Sequence, residues 1–321
     1  MRISVLLPVV PANPREALPF AELVEQFAGA RLWQGYATAI EAHHLCAYLV
    51  GAGHRIPVGF GVSLMFAQHP FQAALNARSA ALVTGHPVAA GFGPGALLAQ
   101  QSFMGREYSS QLGACREYIS AVKQLLSGAR VDLTGEYFHV RGQLPPCPSP
   151  TIEVGLGVLR EKAAGLAGEI ADAAVTWLTP ARYIAQTLAP AITAGALRTR
   201  RTTPPRIITI IPVALARAGR NPAEIALASS AAHLKGPHYQ HMLRSSGLRL
   251  TGEPEGDAEQ LVRQDAFLYG DRDELAGKLT ELHEAGVDEI VLNTIGVAHT
   301  NGLETALQEC SAILQHMDRT S

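Results

Sequence analysis

The sequence predicts an α/β protein folded as a (β/α)8 TIM barrel, and three observations predict it. Eight short apolar segments of strand character alternate with segments of helical periodicity along nearly the whole chain. The stretch Gly59–Gly95, GFGVSLMFAQHPFQAALNARSAALVTGHPVAAGFGPG, places strand, helix and strand within one βαβ unit, whose right-handed crossover makes the two strands parallel. The 321 residues, 47% of them hydrophobic, suffice for a large core, and α/β barrels of this length form one domain. The expected organisation is one barrel domain over residues 1–321 with an insertion at about 222–269.

Each element has a local reason. Arg2–Leu7 is an apolar first strand. Leu18–Gly29 has helical spacing (Leu18, Ala21, Leu23, Val24, Phe27) and stops at glycine. Arg31–Trp33 is the second strand, and Ile40–Val50 a helix ended by Gly51 and Gly53. Ile56–Val62 is the third strand. Pro70–Val83 is a helix opened by proline at its first position, where the missing N–H costs nothing. Pro87–Phe92 is the fourth strand. Tyr108–Leu126 is a long helix with Tyr118, Ile119, Val122, Leu125 and Leu126 on one side, ended at Gly128. Val131–Val140 reads as a β-hairpin turning at Thr134–Gly135, and the proline-rich Leu144–Pro150 must be extended. Strands at Thr151–Gly155, Ala173–Trp177, Arg206–Ala214 and Val287–Asn293 alternate with helices at Glu161–Ile170, Tyr183–Ala194 and Asp271–Ala285. Thr305–His316 closes the chain. Between Pro222 and Tyr269 lie two helix candidates and a polar, mobile-looking piece, Thr251–Asp257, expected to pass over the barrel mouth as a helical excursion or lid.

Composition excludes several function classes. A net charge of −2 and a pI near 6.6 disfavour nucleic acid as a partner. The apolar run Ile3–Val10 is interrupted by Pro8, is too short to span a bilayer and lacks a signal-peptide cleavage region, so no membrane role and a cytoplasmic location are expected. Cys46, Cys115, Cys147 and Cys310 form no CxxC and have no histidine at zinc-ligand spacing; they read as reduced structural thiols, and no metal is expected. Lysine occurs only at Lys123, Lys162, Lys235 and Lys278, the other basic residues being arginine, which with the many alanines suggests a GC-rich genome.

A barrel carries its chemistry beyond the C-terminal ends of its strands. Three glycine-bearing corners lie there: Gly61–Val62–Ser63, Gly91–Phe92–Gly93–Pro94–Gly95 and Gly155–Leu156–Gly157–Val158. Glycine lets backbone bend sharply and approach a ligand closely. The third corner precedes a helix, whose N–H groups and dipole suit a phosphate; Arg160 adds charge there or is simply solvated.

Three segments resemble the bacterial luciferase-like superfamily of flavin- and deazaflavin-dependent oxidoreductases: GVSLMFAQHPFQAALNARSAALVTGHPVAAGFGPG, LLSGARVDLTGEYFHV and GLAGEIADAAVTWLTPARY. The ending EAGVDEIVLNTIG matches too. The resemblance implies a tricyclic cofactor at the barrel mouth. Within the superfamily, ADAAVTWLTP, IITIIPVALA and GPHYQHMLRSSG resemble the branch that uses the deazaflavin coenzyme F-420, with FMN as the competing choice. It also implies a non-prolyl cis peptide at Gly61–Val62, where an ordinary tight turn is the competing reading. Many relatives place an acidic residue and a histidine just after the second strand; here Trp33–Gln34–Gly35–Tyr36 stand there. His44, beside His43 at the start of the next helix, and His69, in QHP, are the candidate proton donors, His69 equally suiting a brace at a helix start. Tyr36, Glu41 and Gln68 are further mouth candidates, and Trp177 a pocket wall.

The activity implied is hydride transfer from reduced F-420 to an activated double bond of a small molecule or peptide. Dehydroalanine reduction in peptide natural-product biosynthesis is one such reaction. An FMN-dependent monooxygenase and a non-catalytic flavin-binding barrel are the competing activities. A homodimer is common among such relatives.

Overall fold

A computed structural model describes residues 1–320. The chain runs β1 (Arg2–Leu6), α1 (Leu18–Glu25), β2 (Leu32–Gln34), α2 (Ala42–Gly51), β3 (Val58–Leu64), α3 (Pro70–Thr84) and β4 (Val88–Gly93). Two helices follow, α4 (Leu97–Met104) and α5 (Gln111–Leu126), then the antiparallel hairpin β5 (Val131–Thr134) and β6 (His139–Gly142). Next come β7 (Ile152–Gly157), α6 (Glu161–Ile170), β8 (Ala173–Trp177), α7 (Ala181–Tyr183), α8 (Ala189–Arg198) and β9 (Arg206–Leu215). Three helices, α9 (Pro222–Leu234), α10 (Pro237–Ser245) and α11 (Pro254–Arg263), lead to β10 (Leu268–Gly270). The chain ends with α12 (Arg272–Glu284), β11 (Glu289–Asn293), α13 (Ile295–Asn301) and α14 (Leu303–Thr320).

Eight parallel strands in the order β1-β2-β3-β4-β7-β8-β9-β11 close on themselves, because β11 pairs with both β9 and β1. This is the (β/α)8 barrel that the alternation predicts. Local signals set its helix ends. His69 caps α3 ahead of Pro70, and Gly85 ends it in the left-handed conformation (φ 76°). Ser110 caps α5, so that helix begins three residues later than Tyr108, the start predicted from periodicity. Asp271 and Glu274 form a reciprocal capping box on α12.

The structure departs from the sequence reading in a few places. The hairpin extends to Gly142, and its turn spans residues 135–138 instead of Thr134–Gly135, because Glu117 accepts the backbone N–H groups of Glu136, Tyr137 and Phe138. α4, α13 and the short β10, which pairs in parallel with the end of β9, lie outside the predicted elements. Residues 222–263 form three helices instead of two. Thr251–Asp257 is tied down, not loose: the buried Asp257 carboxylate accepts the N–H of Thr251 (2.7 Å) and of Gly252 (3.0 Å).

Strand parity separates two cores. Leu6, Trp33, Ala89, Ala173, Val175, Ile208, Ile210 and Val291 fill the barrel. The alternate residues of the same strands, such as Leu32, Phe60, Phe92, Leu156 and Leu292, face the helices. Below the inner apolar residues lies a charged floor. Buried Glu289 (0% exposed) accepts hydrogen bonds from Ser4 Oγ (2.8 Å), Trp33 Nε1 (2.8 Å), Arg31 (3.1 Å) and Arg206 (3.0 Å). Glu153 bridges Arg31 and Arg206, both at 2.6 Å. Burial works to raise the Glu153 carboxyl, but the two guanidinium groups outweigh it and hold it below the usual range.

Outside the barrel, α6 and α8 touch backbone to backbone. A methyl added at Gly195 would collide with the carbonyl oxygen of Gly165, and one at Gly168 with that of Ile192. No flexible side chain is there to yield. Gly195→Ala is therefore expected to lower stability by about 1–3 kcal/mol through overpacking, measured by urea unfolding, despite the better helix propensity of alanine.

Candidate active site

The barrel mouth is built from residues of inward parity at the strand ends. Gly93, Gly157, Trp177 and Asn293 end β4, β7, β8 and β11. Val62 joins them because the Gly61–Val62 peptide bond is cis and the β3–β4 register shifts between Phe60 and Ser63. The β4 and β7 corners converge on Val62. Side-chain carbons of Val62 lie 3.1 Å from where a Cβ would stand on Gly91, 2.9 Å for Gly93 and 3.5 Å for Gly157. A side chain at Gly91 would also meet the Phe60 carbonyl at 2.6 Å. These bare positions let the β3 bend lie flat on its neighbours. Gly61 has a different neighbour: its Cβ would point into the barrel, 2.6 Å from Ile210 and 3.0 Å from Trp33. The three corners thus form one apolar wall, with Val62 as its partly exposed crest.

The remaining corner residues divide by exposure. Ser63 is half-buried, whereas Phe92, Leu156 and Val158 are buried against the helix layer. The backbone of Gly155–Val158, where a phosphate cradle was expected, is engaged in the sheet. Gly155, Leu156 and Gly157 are strand residues paired with β4 and β8, and the Val158 N–H donates to Val175 O (2.8 Å). The amides without helix partners begin at the first turn of α6, after the exposed Arg160, which caps it without a side-chain hydrogen bond.

The histidines sort differently from the sequence reading. His69 has both ring nitrogens engaged. The Phe71 N–H donates to Nδ1 (3.2 Å), and Nε2 donates to His139 O in the hairpin (2.8 Å). In the structure it caps α3 and tethers the hairpin, the brace at a helix start that the sequence equally allowed. His44 is exposed on the first turn of α2, 84% open at its side chain. His43 instead donates through Nδ1 to Glu41 (2.7 Å), and its ring lies on Phe60, centroids 4.3 Å apart. Burial raises the Glu41 carboxyl, but hydrogen bonds and the charge of His43 bring it below its ordinary value. This acid–histidine pair caps the start of α2 and packs on Phe60, a residue of the helix-facing core. Gln68 braces α3 by accepting from Asn76 (3.2 Å). Tyr36 is exposed on the loop after β2.

Sequence reasoning missed His233, near the end of α9, and Asn293. His233 stacks on Trp177 (centroids 5.3 Å, interplanar 24°), and Tyr239 of α10 meets its edge (4.8 Å). Only this end of the three-helix excursion is joined to the mouth by these rings. Trp177 Nε1, His233 Nδ1 and Asn293 Nδ2 are buried without hydrogen-bond partners. Buried polar atoms ordinarily find partners; unpaired ones also occur on Glu16, Gln34, Tyr108 and Thr209, but Trp177 and Asn293 end inward-facing strands, which makes them candidate ligand contacts at the mouth. No metal-type cluster of histidine, cysteine or acidic residues exists among the described residues, and no described helix is long and apolar enough to cross a membrane.

Burial, together with the nearby His238, pushes His233 down from 6.5 to about 4. Between those values the unfolded chain binds a proton that the native state refuses, so the stabilisation is complete above pH 6.5 and is lost as pH falls towards 4. The expected result is a shallower pH–stability slope in this window for His233→Phe than for the wild type, read from urea midpoints at matched pH.

The chain matches a profile of the luciferase-like monooxygenase family over residues 1–289. Among solved structures it is similar to the coenzyme F-420-dependent tetrahydromethanopterin reductase from Methanopyrus kandleri (18% identity, TM-score 0.73, 99% of each chain covered). It is also similar to an F-420-dependent secondary alcohol dehydrogenase in complex with an F-420–acetone adduct (14%, TM-score 0.73, covering 97% of this chain and 98% of that one). A monooxygenase from Streptomyces bottropensis gives a comparable match (14%, TM-score 0.74, covering 100% and 99%).

Proposed function

The chain belongs to the luciferase-like monooxygenase family, and from that premise we propose that it is an F-420-dependent reductase acting on an activated double bond of a small molecule or peptide, dehydroalanine being the candidate residue. The observation that carries ring binding is the apolar wall, Val62 seated over Gly91, Gly93 and Gly157; Trp177 Nε1 and Asn293 Nδ2, at the ends of β8 and β11, are unpaired donors on the same rim of the barrel. A flat tricyclic guest needs one such bare face and a few polar anchors. The two F-420-dependent neighbours support the choice of coenzyme.

The residues fit distinct parts of the coenzyme. Val62, Gly93 and Gly157 would face the ring. The free amides of the first turn of α6, with Arg160 beside them, would hold the phosphate. When bound and reduced, F-420 supplies a hydride; the protein contributes position, exclusion of water and electrostatics.

Titrating F-420 and FMN side by side by fluorescence quenching tests this. F-420 is expected to bind more tightly. Binding of FMN alone, with oxygen uptake in the reduced state, would replace the proposal by a monooxygenase, and binding of neither would favour a non-catalytic barrel. Gly157→Ala supplies the site control. A Cβ at Gly157 meets only ordinary contacts (3.5–3.6 Å), so the variant should fold, while the methyl added to the face that the ring would lie on should weaken coenzyme binding by about tenfold.

A further inference from the structure

We propose that a cavity between the turn after β3, the α4–α5 loop and the tip of the hairpin binds an aromatic amino-acid unit, free or within a peptide. This goes beyond the reading of the mouth and does not depend on which coenzyme binds there. The cavity measures about 420 Å³, at the small end of ligand pockets, which run from roughly 300 to 1,000 Å³. It has room for one side chain with its flanking amides, and not for a tricyclic coenzyme with its tail.

Its walls suit a ring. Met65, Phe66, Met104, Tyr108, Tyr137 and Phe138 line it. Tyr108 stands edge-on to Tyr137 (5.5 Å) and tilted against Phe138 (6.0 Å), and Phe66 stacks on Phe103 (5.4 Å). Aromatic faces and edges gain more from another ring than from an aliphatic chain, and thioether sulfurs add favourable contacts with ring edges. Phe66 also lies against Gly95, 2.6 Å from where a Cβ would stand, so the cavity shares a wall with the β4 corner.

The walls are in place without a ligand. Glu117 accepts the N–H groups of residues 136–138, the Ser110 N–H donates to Tyr137 Oη (2.9 Å), and Tyr118 Oη donates to Gln68 O (3.2 Å). Little has to be ordered on binding, which keeps its entropic cost low. The polar part of the guest meets Arg106 and Glu107. Both line the cavity, are exposed, and have no ion pair or side-chain hydrogen bond among the described residues. The guanidinium can donate to a carbonyl or carboxylate, and the carboxylate can accept from an N–H or ammonium. Opposite charges on adjacent residues beside one aromatic cavity match the two ends of an amino-acid unit. The other carboxylate there, Glu136, is already taken by Ser109 Oγ (2.7 Å).

The chain has five methionines, which makes the site directly observable. Met65 and Met104 line the cavity, while Met1, Met242 and Met317 lie elsewhere and serve as references. In a sample labelled with 13C at the methionine methyls, with Met65→Leu and Met104→Leu used for assignment, the full chain is titrated with L-phenylalanine and with N-acetyl-L-phenylalanine methylamide. The expected result is a ring-current shift of the Met65 and Met104 signals with at least one probe, saturating at about millimolar concentration or below, the references staying in place. Arg106→Ala and Glu107→Ala, at exposed and unpaired positions, should each weaken that probe by about three- to tenfold. A response to phenylalanine alone supports a free amino acid as the occupant; a response to the methylamide supports a peptide residue. Equal competition by the cyclohexyl analogue of the bound probe overturns the aromatic assignment. No shift with either probe, or unchanged affinity in both variants, overturns the site. Either failure leaves the coenzyme titration untouched, since Met65 and Met104 report on this cavity alone.

Discussion

Glu289→Ala is expected to destabilise the protein by about 3–5 kcal/mol, seen as a large fall in the urea midpoint, because it strands buried positive charge. Glu289 is fully buried and receives Ser4, Arg31, Trp33 and Arg206 at 2.8–3.1 Å. Arg31, only 4% exposed at its side chain, would keep Glu153 but lose its deeper partner. Water cannot readily replace the carboxylate at the bottom of a closed barrel. Glu289→Gln keeps the volume and one acceptor, so its cost should be smaller, about 1–3 kcal/mol. Equal, small effects for both variants would show that the floor is not held by charge pairing.

Trp33→Ala should cost a similar amount, about 3–5 kcal/mol, by opening a cavity in the middle of the barrel. Trp33 is 0% exposed, and its indole occupies the space that side chains at Gly59 and Gly61 would otherwise fill. Trp33→Phe retains most of the ring and loses the hydrogen bond to Glu289, so it should cost about 1–2 kcal/mol. Because the same indole underlies the Gly61–Val62 bend, Trp33→Ala should also weaken coenzyme binding in the folded fraction. Wild-type coenzyme affinity in Trp33→Ala would separate barrel filling from mouth shape.

The barrel was legible because its information is local. Runs such as Ile208–Val213 and the alanine face of α3 announce strand and helix by period, and Pro70, Gly85 and Asp271 punctuate them. Segments with weak local signals were missed. β10 has three residues and exists only by pairing with the end of β9; the extra helix α4 leaves Leu98 and Phe103 exposed and so lacks a clear buried stripe. Thr251–Asp257 reads as mobile because its residues are polar, yet one buried carboxylate fixes it.

Part of the candidate site was legible for the same reason: glycines at strand ends are unusual enough to mark corners. Their partners were not. Gly61 serves Trp33 and Ile210, while Gly91, Gly93 and Gly157 serve Val62. His69 reads as a proton donor or a brace in the string QHP, and its bracing contact is visible only in space, where the distant His139 carbonyl accepts a hydrogen bond from Nε2–H. His233 carries no local sign at all; only the packing of α9 brings it onto Trp177.

The sequence by itself determined the alternation of strands and helices, and with it the barrel and the rim on which chemistry must lie, since periodicity and turn residues act between near neighbours. Tertiary structure alone decided which buried polar atoms are satisfied and which are left unpaired. A hydrogen bond is completed by whatever lies within about 3 Å in space, and in a closed barrel those neighbours come from strands and helices far apart along the chain.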